Sequence, residues 1–447
     1  MLKRRFLIFT LALMLVLSLL PASAVAAGKE NVTLYVTIRD FKADGLLFEG
    51  NVTSNEGMVQ SHLGTEKKPV FNLPLWKELY ENGYWEEEQW VMTGPAVTQT
   101  MLDALYNDVP GVNMRAKKTI TLADDRGYYV MDSAVDEMGG NSDGFFPIDN
   151  ELFGNYEDYD HNFHFSTELH ATFQYKTGDE FWFIGDDDVW VFFNDTLCVD
   201  LGGVHGATDA YVSIDALVAE GKLTIKPGDY VSLDMFHMER CTSESNFYMK
   251  TNINFVNFNN SDWATQTLFE AYQNGLIPEI LMKEDLTLPV YRDEFAAMAV
   301  KLYEALTGTI VPEADTKANP FTDTDDPDVL KAYALGIVNG TSATTYGPRV
   351  KLTREQAATM LTRVYKAATI EDWTLESDSQ FPLTYTNPPR FADDSQISSW
   401  AKDSVYFMTA HGVITGVGEN RFAPVGIDAT KEQALIISGR AFMKLPR

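Results

Sequence analysis

One short pattern recurs three times in the C-terminal part of the chain. Ala271-Tyr272-Gln273-Asn274-Gly275-Leu276-Ile277 returns as Ala332-Tyr333-Ala334-Leu335-Gly336-Ile337-Val338, and again as Met408-Thr409-Ala410-His411-Gly412-Val413-Ile414. A second signal follows each copy: Tyr291-Arg292-Asp293-Glu294, Thr353-Arg354-Glu355-Gln356 and Thr430-Lys431-Glu432-Gln433. A period of roughly 60–80 residues means stacked copies of one unit, each too small to bury its own core. Asp262-Trp263-Ala264 leads a helix that ends at Gly275, because a residue without Cβ suits the left-handed position after a helix. The spacing of Phe295, Met298, Ala299 and Leu302 predicts a second helix over residues 292–306, with those side chains on one face. The same plan gives helices over residues 328–335 and 353–365, then 399–410 and 430–442. Thr353 and Thr430 are natural N-caps, since a hydroxyl accepts an orphan backbone N–H.

Before these repeats the period changes from helical to two. Thr33-Leu34-Tyr35-Val36-Thr37-Ile38 alternates apolar and polar residues, and Phe181-Trp182-Phe183-Ile184 and Val189-Trp190-Val191-Phe192-Phe193 read as short apolar strands split by an acidic turn. Asn194-Asp195 turns the chain into Leu197-Cys198-Val199, a hairpin signal, and Lys226-Pro227-Gly228-Asp229 turns it into residues 230–236. Residues 247–255 close the set, and one helix is expected near residues 98–106. Many short strands between turn signals predict a mainly-β sandwich from about residue 31 to 255.

The 447 residues allow about two or three domains. Lys3, Arg4 and Arg5 precede an apolar run to Leu20 and then the small residues Ala22 to Ala26, the parts of a secretory signal peptide over residues 1–26. No second long apolar stretch exists, so no membrane span is expected after its cleavage. A net charge of −29 argues against nucleic-acid binding, which needs a basic footprint. Two cysteines, Cys198 and Cys241, lie in one β-rich region, and export would permit a disulfide between them.

Gly185-Asp186-Asp187-Asp188 sits between two apolar strands. Three adjacent carboxylates repel one another unless they are solvated or neutralised by a cation, and hard oxygen ligands suit calcium. His205 is expected near the same loop. His237 and Glu239 alternate along a strand and could form a structural pair. Trp182 and Trp190, set within apolar strands, read as core.

The repeats resemble the S-layer homology domain. That resemblance implies three copies, residues 258–310, 318–370 and 388–447, closing into an all-α pseudo-trimer. Their grooves would hold a pyruvylated sugar of a secondary cell-wall polysaccharide at a bacterial surface. Arg292, Arg354 and Lys431 match the position that meets the ketal carboxylate, where a planar guanidinium suits bidentate bonding. Trp263 and Trp400 match the family's early tryptophan. The second repeat departs, with Val329 where the tryptophan is expected. Residues 28–257 resemble the fibro-slime domain through the motifs around His164–Leu169, the acidic turn, residues 199–206 and 236–247. The resemblance implies a sandwich of the protective-antigen and flocculin type. In the adhesin branch two consecutive aspartates, joined by a cis peptide, hold calcium that binds sugar hydroxyls. Here the pair would be Asp186–Asp187 or Asp187–Asp188, with Asn246 completing the shell.

The expected function is therefore a non-enzymatic, wall-anchored surface protein with a calcium-assisted glycan- or matrix-binding sandwich. A structural S-layer or matrix component without a small ligand is the alternative. Polysaccharide hydrolysis ranks last, because it needs two carboxyls set apart across a cleft, one with a raised pKa. No nucleophile elbow, zinc-ligand spacing or phosphate loop is present.

Overall fold

A computed structural model describes residues 30–42, 47–48, 55–81, 84–86, 89–91, 97–135, 144–156, 159–242, 244–312, 319–424, 426 and 428–446. The signal peptide expected over residues 1–26 lies outside the described residues. Among them no helix is long and apolar enough to cross a membrane. The chain divides into two compact units between Phe255 and Val256.

The first unit is built on strands β1 (Val32–Phe41), β4 (Asn113–Asp125), β5 (Tyr128–Asp132), β6 (Phe165–Gln174), β7 (Glu180–Gly185), β8 (Asp188–Phe193), β9 (Thr196–Leu201), β10 (Thr208–Ser213), β11 (Tyr230–Glu239) and β12 (Phe247–Thr251). These ten strands form one antiparallel sheet in the order β10-β7-β12-β5-β4-β1-β6-β11-β8-β9. A separate ribbon joins β2 (Tyr84–Glu86) to β3 (Gln89–Val91). The long β4 joins two halves: its residues 113–122 pair with β1 and residues 123–125 pair with β5. Side chains from both halves share one core, including Leu34, Val36, Leu169, Phe181, Phe183, Val191, Met235, Phe247 and Met249. The sheet thus folds over on itself in the manner of a sandwich.

Helices α1 (Leu73–Glu81) and α2 (Gln99–Asp103) lie in the layer outside one half, and α3 (Ile214–Ala219) follows β10. Thr98 caps α2 through its hydroxyl, which accepts from the Met101 N–H at 3.3 Å. Trp76, Phe71, Leu102 and Tyr106 pack there on Trp190, Phe192, Phe236 and Met238. This layer explains why every residue of β8 is buried instead of alternate ones: strand β8 has apolar neighbours on both faces. The β8–β9 turn has Asn194 and Asp195 at φ 45° and 65°, the left-handed pair that matches strand twist in a two-residue hairpin.

No disulfide joins Cys198 to Cys241; export permits the bridge, but the strand geometry does not supply it. Cys198 sits at the bulge opposite Val191 and Phe192, and Val191 faces Met235. Cys241 lies six positions beyond Met235, roughly 20 Å further by strand rise. A bridge needs Cα atoms within about 7 Å.

One face of β6 carries a buried charge network. Glu168 accepts from Arg39 at 2.7 Å and pairs with Lys68, and it holds the His170 ring at 2.6 Å. Asp234 holds the other ring nitrogen at 2.6 Å. Burial alone would lower the His170 pKa, but Asp234 and Glu168 raise it to about 9. Its contribution to stability is therefore complete below the free value near 6.5 and is lost as pH rises through about 9. We expect His170→Gln to destabilise the domain by on the order of 3 kcal/mol at pH 6. The deficit should shrink between about pH 6.5 and 9.5. Chemical unfolding of both proteins across that range checks it, and a pH-independent deficit would refute the charged imidazole.

Among the described residues the second unit holds three helix pairs. These are α4 (Thr265–Gln273) with α5 (Arg292–Thr307), α6 (Pro327–Ala334) with α7 (Arg354–Thr369), and α8 (Lys402–Ala410) with α9 (Lys431–Lys444). Each first helix ends alike. Gly275, Gly336 and Gly412 have φ of 68°, 72° and 66°. The next N–H bonds back to Ala271, Ala332 and Met408 at 2.9 Å in each case. Thr353 and Thr430 cap α7 and α9 as expected, each in a capping box with Gln356 or Gln433. The second helix of each pair packs on the first helix of the next, α5 on α6 and α7 on α8. The last, α9, packs on α4, so the arrangement closes. Leu268, Val329 and Val405 each lie seven residues before the terminal glycine and are fully buried. Val329 is therefore a core position and does not replace a tryptophan, whose place falls in the loop before α6.

Candidate functional sites: a buried acidic crossover and an arginine-lined groove

The acidic turn links β7 to β8, which do not pair with each other: β7 lies between β10 and β12, and β8 between β11 and β9. The chain crosses there from one half of the sheet to the other. A crossover between packed layers is buried, and Asp186, Asp187 and Asp188 are 3%, 2% and 0% exposed. The turn is therefore not solvated. Gly185 is required just before it, because a Cβ there would sit 2.9 Å from the Asn246 carbonyl oxygen. Asp187 adopts φ 51°, a left-handed conformation that Asp tolerates. Peptide bonds are trans among the described residues, unlike the cis link that the adhesin resemblance implied.

Each carboxylate has its own partner. Asp188 pairs with the fully buried Arg240, Nε to Oδ2 at 2.7 Å, and its Oδ1 accepts from the Gly203 N–H at 2.7 Å. The Arg240 N–H donates to Asp187 Oδ2 at 2.8 Å. Asp186 Oδ2 accepts from the Asn246 N–H at 3.1 Å and from its side-chain amide at 2.8 Å. Asn246 thus stands directly beside Asp186. Burial pushes Asp186 and Asp188 up to about 6, and raises Asp187 as well. Glu239 lies well above the usual carboxylate range, first through burial and then through Asp187. Three buried carboxylate oxygens have no hydrogen-bond partner: Asp188 Oδ2, which is ion-paired with Arg240, and Asp186 Oδ1 and Glu239 Oε2, which are in no ion pair.

These contacts limit what a cation would find. Asp187 and Asp188 are committed to Arg240 and Gly203, so the triplet does not act as a three-carboxylate cage. Among the described residues no three His, Cys, Asp or Glu side chains are arranged to hold a metal. The fit to calcium is confined to Asp186, with its unpartnered oxygen, and Asn246 beside it.

His205 lies beside the turn as expected, its carbonyl accepting from the Asp187 N–H at 3.4 Å. His237 makes no ion pair with Glu239. It is fully buried between Phe145, Phe165 and Phe247, and burial lowers its pKa to about 3. Trp190 is core, but Trp182 is on the outward face of β7. The sequence missed Arg240: its signal, a lone Arg after the alternating His237-Met238-Glu239, becomes meaningful only once β11 is seen beside β8.

In the helical unit, Arg292 at the start of α5 donates from Nε to Tyr346 O at 3.2 Å and from Nη2 to Asn339 O at 2.9 Å. Arg354 at the start of α7 repeats this with Phe422 O and Thr415 O, both at 2.8 Å. Each arginine thus ties down the turn of the next helix pair with two of its nitrogens. Lys431 departs from this pattern. It is 3% exposed and ion-paired with Glu284 at 2.9 Å and Glu294 at 3.2 Å. The expectation that it meets an external carboxylate is corrected: its charge is already neutralised inside the protein.

Arg292 lines a cavity of about 370 Å³, together with Asn339, Gly340, Gln356, Arg363 and Trp400. Trp400 is 56% exposed, and Trp263 is 60% exposed. Two guanidinium groups and an indole therefore converge on one groove of a chain whose net charge is −29. Such a lining suits an anionic ring compound, with the carboxylate on arginine and the ring on tryptophan.

The S-layer homology domain family matches residues 321–358 and 390–425. These segments contain α6 with the start of α7, and α8 with the following turn. Domains of that family generally bind cell-wall polysaccharide. Among curated proteins, psiR of Dictyostelium discoideum is 34% identical over 229 residues, 48% of this chain and 20% of its own length. Protein psiD of the same organism is 35% identical over 260 residues, 55% of this chain and 46% of its own length. The matches thus span from a fifth to under half of these relatives. A PA14 domain of the MpAFP antifreeze protein is similar at 13% identity and TM-score 0.17, covering 29% of this chain and 62% of its own. A PA14 sugar-binding domain from an RTX adhesin is similar at 12% identity and TM-score 0.15, covering 22% and 56%. Likenesses at those scores carry no argument here.

Proposed function

We propose that this chain is a non-enzymatic cell-surface protein of bacterial type. Three S-layer homology repeats, residues 258–310 included, close into a pseudo-threefold unit that binds a pyruvylated secondary wall polysaccharide. The fibro-slime sandwich engages an extracellular glycan or matrix with help from calcium at Asp186 and Asn246. The observation that carries the anchor is the groove where Arg292, Arg363 and Trp400 meet. The shared helix ends at Gly275, Gly336 and Gly412 support counting three repeats. Retention on purified wall, tested by substitution of the arginines, decides the anchor.

The calcium part rests on the unpartnered Asp186 Oδ1. Calcium at about a hundredfold its dissociation constant should stabilise the native state by about 2.7 kcal/mol. For a domain of this size that is a rise in Tm of roughly 5–10 °C. Thermal unfolding at pH 7.5 with calcium and with chelator measures it, and Asp186→Asn should remove the shift. Equal midpoints at millimolar calcium would sink this part.

A second reading is favoured by the turn itself: Asp187 and Asp188 are satisfied internally, as a purely structural S-layer or matrix component would have them. An enzyme gains no support at this turn, since its carboxylates are committed to Arg240, Gly203 and Asn246.

A further inference from the structure

The outward face of the half-sheet β10-β7-β12-β5 carries a feature that the acidic turn does not explain. Its inward residues, Val212, Phe181, Phe183, Met249 and Met131, belong to the core. Its outward residues include three aromatic rings on three strands. Tyr211 of β10 is paired in register with Trp182 of β7, and their ring centroids are 4.8 Å apart at 38°. Tyr128 of β5 meets the same indole at 5.6 Å, edge to face. Tyr211 is 51% exposed.

These rings are held by charges set among them. Both tyrosines donate to one carboxylate, Tyr211 to Glu180 Oε1 at 2.8 Å and Tyr128 to Glu180 Oε2 at 3.2 Å. Lys250 of β12, in register with Trp182, places Nζ 4.7 Å from the Tyr128 ring centroid and 5.3 Å from that of Trp182. A solvent-facing aromatic cluster fixed in this way is already ordered, so a ligand meets little conformational cost on binding.

We propose that this face is a cation-independent binding site for an uncharged pyranose polysaccharide. The Trp182 and Tyr211 rings take the C–H face of a sugar, and Glu180 and Lys250 meet its hydroxyls. The charges select a neutral chain. Glu180 and Lys250 balance each other, and in the next row of the register Asp209 and Asp132 stand at the two outer strands. An acidic polymer, suited to the arginine groove, is repelled here. The site is independent of the proposed calcium site and stands or falls separately from it.

The test uses the full chain in native gels cast with soluble β-glucan, α-glucan or mannan, and with polygalacturonate as the acidic comparison, in calcium and in chelator. At least one neutral polymer should retard the protein equally in calcium and chelator. Trp182→Ala and Tyr211→Ala should each weaken that retardation by roughly tenfold, while Asp186→Asn leaves it unchanged. Tyr211 is half exposed, so its substitution keeps the test valid if Trp182→Ala fails to fold. The proposal is overturned if no neutral polymer retards the protein, if retardation survives the ring substitutions, or if it requires calcium.

Discussion

Arg240→Met should destabilise the N-terminal domain by about 3–5 kcal/mol, the largest effect expected of any single substitution in the chain. Arg240 is fully buried, 2.7 Å from Asp188, bonded to the Tyr80 hydroxyl and set 5.5 Å over the Trp76 ring. Its removal leaves Asp188 buried without a counter-charge beside two other carboxylates. The replacement fills much of the volume, so the loss reports charge more than cavity. Urea unfolding followed by the buried tryptophans measures it. A change under about 1 kcal/mol would mean that Asp188 becomes neutral at little cost. The double variant Arg240→Met with Asp188→Asn should recover much of the loss, because it removes both ends of the pair.

Arg292→Ala with Arg354→Ala should reduce retention on wall polysaccharide by a hundredfold or more, if each arginine contributes roughly tenfold. Each guanidinium also ties down two carbonyls of the following turn. Part of any loss could therefore come from a loosened turn. Trp400→Ala separates the causes, since the exposed indole lines the groove and makes no hydrogen bond there. It should weaken retention without lowering the unfolding midpoint. Unaltered retention by the double variant would remove the arginines from the binding site.

The helical unit was the more legible part of the sequence. Its helix ends depend on local chemistry, a glycine after the last turn and a threonine before the first, and both signals lie within a few residues of the structure they cause. The three copies also checked one another. Lys431 was misread because its partner Glu284 is distant in sequence, and only closure of α9 onto the first repeat brings them together. Val329 was misread because it shares the core register of Leu268 and Val405, counted back from the terminal glycine, whereas Trp263 and Trp400 stand earlier in that count.

In the β-rich unit, the alternation of β1 and the hairpin at Asn194-Asp195 were plain. The fate of the acidic turn was not. Its burial follows from the crossing between halves of the sheet, a matter of strand order that no local pattern encodes. The helix α1, with the covering layer it belongs to, has no such signal: Trp190 reads as core from its apolar strand, but what covers it on that face comes from residues such as Phe71 and Trp76, more than a hundred positions away. Asn246 was found by resemblance and stands beside Asp186, but the same resemblance led to a cis peptide that this turn does not contain.

Sedimentation of the full chain with purified wall, before and after mild acid removal of its anionic polysaccharide, is the decisive measurement for the arginine groove. The wild-type protein should sediment with intact wall, stay in solution with stripped wall, and be released by the free acidic polysaccharide. Equal sedimentation with stripped wall would contradict anchoring through an acidic wall polymer and leave the groove of Arg292, Arg363 and Trp400 without its ligand.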